Sequence, residues 1–239
     1  AIVVARSDSE VEWLETLAAA CQTRGLPVRR LSMADLRRDE PALTGPIKAA
    51  LLLPEDRQVD AQLALQRLGA ALSRAGVGFK FGRKVDRIIG GQVFQMADGE
   101  RFDRVVLATG GGVLPAFVGP RGAPLEHGLV ETVPVKGQML ALAPVVGGPR
   151  HVIHTRDVYI APKSRWVLVG ATSERGRADT EVDPARIAAL KAKAVELVSA
   201  LGNAPEVTAW AGVRPGTPDD APMIGQTAIP GVFAALGHY

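Results

Sequence analysis

Phe102-Asp103-Arg104-Val105-Val106-Leu107-Ala108-Thr109-Gly110-Gly111-Gly112 is the stretch on which the fold turns. Its apolar run closing on three glycines predicts a strand from Phe102 to Ala108, buried on both faces and ending at a ligand crevice. Upstream, Asp98-Gly99 marks a hairpin turn, and Gly78 to Ile89 and Gln92 to Met96 alternate as strands do. Asp60 is placed to cap a helix whose Leu63, Leu65, Leu68, Ala71 and Leu72 recur near helical spacing up to Gly76. Nearer the start, Ile2 to Ala5 and Ala49 to Leu53 read as strands. Ser7 or Asp8 caps a helix to about Arg24, and a shorter one runs from Ser32 to Asp39. Downstream, Leu129 to Val169 is mostly strand, with Pro144 to Pro149 as a loop and Lys163-Ser164 as a turn. Asp183-Pro184 then opens a helix with Ile187, Leu190, Ala194, Leu197 and Leu201 as its buried stripe. Val232 to Leu236 is a second apolar strand running into a glycine, Gly237. The pattern is α/β (α+β), a large mixed sheet with flanking helices.

Composition narrows the functional classes. A chain of 239 residues with 47% hydrophobic content buries a substantial core, as one large domain or two intertwined ones. Its 28 Lys and Arg stand against 25 Asp and Glu, a net charge of +3, with the bases scattered in short pairs such as Arg29-Arg30 and Arg37-Arg38. Scattered pairs form no electrostatic stripe, which argues against a nucleic-acid partner. No apolar run approaches the roughly 18 residues of a membrane span, and no signal peptide opens the sequence, so the expected location is cytoplasmic. The single cysteine, Cys21, falls on the helical pattern Trp13, Leu14, Leu17, Cys21 and is expected to be a buried apolar filler. His127, His151 and His154 have no carboxylate or cysteine partners at ligand spacing, so no metal site is expected. The sequence leaves a homo-oligomer open.

A second segment carries chemistry. Trp210-Ala211-Gly212-Val213-Arg214-Pro215-Gly216-Thr217-Pro218-Asp219 sets one arginine among residues that restrict the backbone. Pro215 locks its own φ and Gly216 permits φ > 0, so Arg214 is expected on a stiff corner after a strand from Val207 to Val213. A guanidinium held so presents a planar fork suited to a carboxylate, although a structural ion pair would use the same residue.

These two segments, with Pro134-Val135-Lys136-Gly137-Gln138, Val158-Tyr159-Ile160-Ala161-Pro162 and Gly237-His238-Tyr239, resemble the D-amino-acid oxidase superfamily of FAD-dependent oxidoreductases. Within it the chain is most similar to the glycine oxidases of thiazole (thiamin) biosynthesis, and the resemblance runs from Ala1 to Tyr239. It implies FAD as cofactor, a small amino acid as substrate, hydride transfer to the flavin, and oxygen reduced to hydrogen peroxide. By the same resemblance Arg214 pairs with the substrate carboxylate and Tyr159 hydrogen-bonds it. Ala108, Thr109, Gly110, Gly111, Gly212, Gly237 and His238 contact the cofactor, and Val85 touches its adenine ring. On residues alone, Val85 reads equally as core, Tyr159 as a half-buried strand aromatic, and His238 as a surface residue.

The resemblance further implies a substrate-binding domain over 1–56 and 117–229 and the partial remainder of a Rossmann-like FAD-binding domain over 57–116 and 230–239. No Gly-x-Gly-x-x-Gly turn follows a strand here: Gly76-Val77-Gly78 with Gly82 has the wrong spacing and follows a helix. Tyr239 also ends the sequence where the family continues with an Arg-Asn-Gly segment. The chain therefore reads as an internal fragment, expected to show weak or absent activity on its own. Ser173 stands where one family pattern has methionine, which leaves substrate choice open. Sarcosine oxidase, D-amino-acid dehydrogenase or a non-catalytic carboxylate-binding domain are the competing readings.

Overall fold

Ser7 and Glu10 decide where the first helix begins. The Ser7 hydroxyl accepts the Glu10 N–H at 3.3 Å, and the Glu10 carboxylate accepts the Ser7 N–H at 3.2 Å. Two N–H groups that lack helical partners are thereby satisfied reciprocally. The computed structural model describes residues 1–239. Its elements in chain order are β1 (Ile2–Ala5), α1 (Asp8–Thr23), β2 (Arg29–Arg30), α2 (Met33–Asp39), β3 (Ala49–Leu52) and α3 (Ala61–Arg74). There follow β4 (Arg87–Ile89), β5 (Phe94–Gln95), β6 (Arg101–Phe102), β7 (Val105–Leu107), β8 (Ala116–Val118), β9 (Pro124–Leu125) and β10 (Val133–Leu142). The last are β11 (Ile153–His154), β12 (Tyr159–Pro162), β13 (Val167–Gly170), β14 (Glu174–Arg175), α4 (Pro184–Leu197), β15 (Glu206–Gly216), β16 (Met223–Gln226) and β17 (Val232–Leu236).

Contacts divide the chain into a first unit of 1–71, 137–173 and 180–211 and a second of 72–136, 174–179 and 212–239. Residues 117–136 and 212–229 thus fall with 72–116. β10 and β15 each contribute residues to both units.

In the first unit the strands lie in the order β10-β13-β12-β11-β1-β3-β2, antiparallel except where β1 runs parallel to β11. One face is closed by α4, whose Ile187, Leu190, Ala194 and Leu197 pack with Leu140, Leu142, Ile160, Val167 and Val169. Asp183 caps that helix by accepting from the Ala185 and Arg186 N–H groups, and Pro184 takes the first helical position as expected. α1 buries Leu14 and Ala18 against Val3, Ala5 and Leu51, and Cys21 is buried beside them. Asp60 accepts the Leu63 N–H at the start of α3. The apolar stripe of α3 is not buried, however: Leu63, Leu65 and Leu68 are 45%, 69% and 55% exposed.

The second unit holds a three-stranded sheet, β16-β17-β7, and a five-stranded one, β6-β5-β4-β8-β9. Ile88, Phe94, Leu107, Phe117, Val232 and Leu236 share its core. The structure corrects three sequence expectations here. The run from Phe102 to Ala108 is two strands interrupted at Asp103-Arg104, and Val106 is 63% exposed, so only one face of β7 is covered. The alternation over 78–86 forms no strand; only Arg87–Ile89 pairs, and Val85 lies outside the sheet, 44% exposed, which removes its reading as core. Residues 206–216 form one continuous strand, so Arg214 sits on extended backbone and not on a corner, and Gly216 lacks a positive φ. Gly216 is needed for a different reason. A Cβ there would stand 3.0 Å from Val135 Cγ2 and 3.1 Å from the Val133 carbonyl oxygen, so any larger residue would push these strands apart by a few tenths of an ångström.

Candidate functional site

The second unit builds a crevice from strand ends. β7 and β17 run parallel, with Val105, Val106 and Leu107 beside Val232, Phe233 and Ala234. Their carboxyl ends therefore emerge together, β7 into Gly110 with φ +60° and β17 into Gly237 with φ +73°. The carboxyl ends of parallel strands are where open α/β sheets receive ligands. A Cβ built on Gly110 or Gly111 meets nothing within 4 Å, so their backbone faces open space. A cavity of about 400 Å³ adjoins them, lined by Gly111, Gly112, Leu236 and His127 among others. Gly237 differs: its Cβ would fall 2.4 Å from Thr217 Cγ2, so glycine is required there by a neighbouring side chain. Ala108, Thr109 and His238 lie at the same strand ends and are exposed. Gly212 is half-buried on β15 with open space above its Cα.

Arg214 lies on the second-unit part of β15, half-buried, with its Cζ 5.6 Å from the centre of the Tyr239 ring. A guanidinium over an aromatic face is held by the ring quadrupole yet keeps its N–H donors directed outward in the plane. Just after β15, Asp220 at 2.9 Å and the Thr217 carbonyl at 2.6 Å accept from the Arg175 guanidinium, which ties that segment to β14. Lys136 is buried in the same unit and pairs with Asp179.

Tyr159 belongs to the first unit, on the sheet face opposite α4. The register sets Met139 and Tyr159 both beside Gly170, and His154 beside Tyr159, making one row across β10, β13, β12 and β11. Gly170 leaves room for that row: a Cβ would lie 2.9 Å from the Tyr159 Cζ and hydroxyl and 3.1 Å from Met139 Cε. The Tyr159 hydroxyl donates to the Met139 sulfur at 3.4 Å, and its ring is tilted against His154 with centroids 5.7 Å apart. Burial holds the His154 imidazole below its usual pKa, opposed by the nearby Asp56 carboxylate.

This row forms the floor of a groove of about 560 Å³ in the first unit. Trp166, Leu168 and Trp210 add apolar wall, and residues 56–62 close one side. That side is tied down by Gln58 Nε2 donating to the Pro162 carbonyl at 2.6 Å and Lys163 Nζ donating to the Val59 carbonyl at 2.9 Å. Of these residues the sequence singles out Tyr159 alone as a substrate contact, through the resemblance. The partners come from distant segments, and only the alternation of Tyr159 with Ala161 hinted at a shared face.

Comparison with known proteins identifies the family. The family model described as DAO, FAD dependent oxidoreductase, matches residues 1–239. The chain belongs to the FAD-dependent oxidoreductase family. It is 32% identical over 226 residues to the bifunctional protein ThiO/ThiG of Nostoc sp. (strain PCC 7120 / SAG 25.82 / UTEX 2576), covering 89% of this chain and 32% of that one. The crystal structure of glycine oxidase from Geobacillus kaustophilus superposes with a TM-score of 0.83 at 29% identity, over 100% of this chain and 65% of that one. L-proline dehydrogenase from P. horikoshii, at 17% identity and a TM-score of 0.83 over 99% of this chain and 66% of that one, shares the fold. The chain thus spans about a third of the curated relative and 65% of the glycine oxidase. FAD is the cofactor of the family, and the open glycine backbone at Gly110-Gly111 is of the kind that lets a flat cofactor approach a strand end closely. No helix of this chain is long and apolar enough to cross a membrane.

Proposed function

We propose that this chain belongs to a cytoplasmic glycine-oxidase-like enzyme of thiamin biosynthesis, which oxidises glycine or another small primary or secondary amino acid. The observation that carries the reading is the paired glycine ends of the parallel strands β7 and β17 beside an open cavity. Ala108, Thr109, Gly110, Gly111, Gly212, Gly237 and His238 would hold FAD, with Val85 toward its adenine. In this reading residues 57–116 and 230–239 serve the cofactor, and 1–56 and 117–229 serve the substrate. When bound, FAD supplies the redox chemistry, taking two electrons and a proton from the substrate and passing electrons to dioxygen.

The protein's own residues supply orientation. Arg214 is the ionic partner of the substrate carboxylate, its fork already stiffened against Tyr239. Tyr159 donates its hydroxyl proton to a carboxylate oxygen, exchanging the weak thioether acceptor of Met139 for a charged one. Fixing an amino acid by its carboxylate restricts the reacting C–H to one direction, a proximity effect.

Titrating FAD into the purified chain, and into Gly110→Val, tests the cofactor assignment through flavin fluorescence. Binding that the valine abolishes supports it; binding insensitive to the valine moves the cofactor elsewhere. In the enzyme spanning the full family length, Arg214→Ala is expected to weaken transition-state binding for glycine by roughly 2 to 5 kcal/mol, as when one partner of a buried charge pair is lost. Unchanged peroxide production would remove Arg214 from the site.

A further inference from the structure

The groove in the first unit is larger than glycine requires. Glycine offers a carboxylate, an amine and a methylene, whereas about 560 Å³ lies within the roughly 300–1,000 Å³ of sites that enclose far bulkier ligands. Its walls are also chemically wrong for a wholly polar ligand. Met139, Leu168, Trp166 and Trp210 present thioether, aliphatic and aromatic surface, and Trp210 is 38% exposed, an apolar ring left facing the opening. Charges at the rim are of both signs, Arg57 and Lys163 against Asp56 and Asp60, so they select no net charge. The space is framed and not an accident of a loose loop, because Gln58 and Lys163 bind residues 56–62 to the β12–β13 hairpin at both 2.6 and 2.9 Å.

We propose that this groove receives an aromatic or branched aliphatic substituent carried by the amino-acid substrate, so that the preferred substrate is a substituted amino acid and not glycine itself. The inference rests on the oxidase reading for the identity of the ligand's head, with Tyr159 as the one residue common to the groove and to the proposed carboxylate contact. Beside Tyr159 the groove offers Met139, Leu168, Trp166 and Trp210 as one apolar wall, and a substituent placed against it exchanges water for the rings of Trp166 and Trp210, a driving force glycine cannot use. Gly170 sets the depth of the floor, since any side chain there would collide with Tyr159 and Met139 and raise it.

Binding to the 239-residue chain without flavin isolates this proposal from the redox chemistry. Saturation-transfer NMR and tryptophan fluorescence are measured with glycine, N-benzylglycine and D-leucine as probes. At about fourfold per buried methylene, N-benzylglycine or D-leucine is expected to bind at least about tenfold more tightly than glycine. Saturation should be transferred most strongly to the phenyl or isobutyl protons. The ranking of the two probes shows whether the substituent sits on nitrogen or on the α-carbon. Trp210→Ala and Trp166→Ala, with thermal melts confirming that each is folded, should each reduce the preference over glycine at least about threefold, in keeping with the loss of one ring face. Equal affinity for all three probes, or a preference unchanged in both folded variants, overturns the proposal. Peroxide formation by the FAD-loaded enzyme is a separate measurement. Turnover of glycine alongside absent groove binding sinks this inference and leaves the oxidase reading intact, whereas groove binding with no turnover of any amine does the reverse.

Discussion

Replacing Glu40 by alanine should destabilise the first unit more than any comparable change at a surface acid. Glu40 follows α2 and is 0% exposed, yet it is a carboxylate. Its Oε2 accepts the Arg150 N–H at 2.9 Å, the His151 N–H at 2.7 Å, and lies 3.1 Å from His151 Nδ1. Its Oε1 is buried without a partner. Truncation strands two backbone N–H groups, each costing about 1–3 kcal/mol when left unsatisfied in the interior. The His151 ring, 39% exposed, recovers its bond from water. Against the loss stands the removal of one unpaired buried oxygen, worth about 1–3 kcal/mol in the opposite direction. A net cost of about 1–3 kcal/mol remains, the worth of one such group, with Glu40→Gln intermediate because its carbonyl oxygen can still accept. Urea denaturation followed by circular dichroism reads the midpoint at constant slope. A cost for Glu40→Ala below about 0.5 kcal/mol, the range of an ordinary surface substitution, would refute the argument that this carboxylate anchors residues 150–151.

Other outcomes follow from single side chains. His154 is held below its usual value of 6.5 mainly by burial, so the unfolded chain binds its proton more readily. Its contribution to stability is therefore complete above about pH 6.5 and declines as pH falls below it, and thermal melts from about pH 8 to pH 5 should lose part of that slope in His154→Asn. Gly237→Ala combines a left-handed backbone with a collision against Thr217 Cγ2, and should cost the second unit about 2–4 kcal/mol in urea melts. Gly170→Ala should displace the Tyr159 ring, changing the near-ultraviolet tyrosine signal at a cost of about 1–3 kcal/mol.

The helices were readable because their boundaries are local. Ser7, Ser32, Asp60 and Asp183 cap in the structure where their side-chain chemistry places them. The strands were readable as strands but not in what covers them. Val105, Val106 and Leu107 look alike in sequence, and only pairing with β17 reveals that Val106 faces outward. The corner expected at Arg214 failed for a similar reason. Pro215 and Gly216 favour a turn locally, and the close approach to Val133 and Val135 holds the backbone extended instead. Tyr159 could be picked out through a resemblance, whereas Met139, His154, Gly170 and Trp210 meet it only through strand register, which no short window of sequence contains.

The outward leucines of α3 bear on how this polypeptide behaves in a tube. Leu65 and Leu68 on one side of the helix and Leu63 on another offer water oily surface with no compensating charge in the helix's first turn. Surface of that kind gathers detergent, dye or other copies, so light scattering should climb with protein concentration and fall when mild detergent is added. Exchanging the three leucines for glutamine would leave the interior untouched, because the helix buries none of its residues, and should yield the better-behaved material for every measurement proposed above.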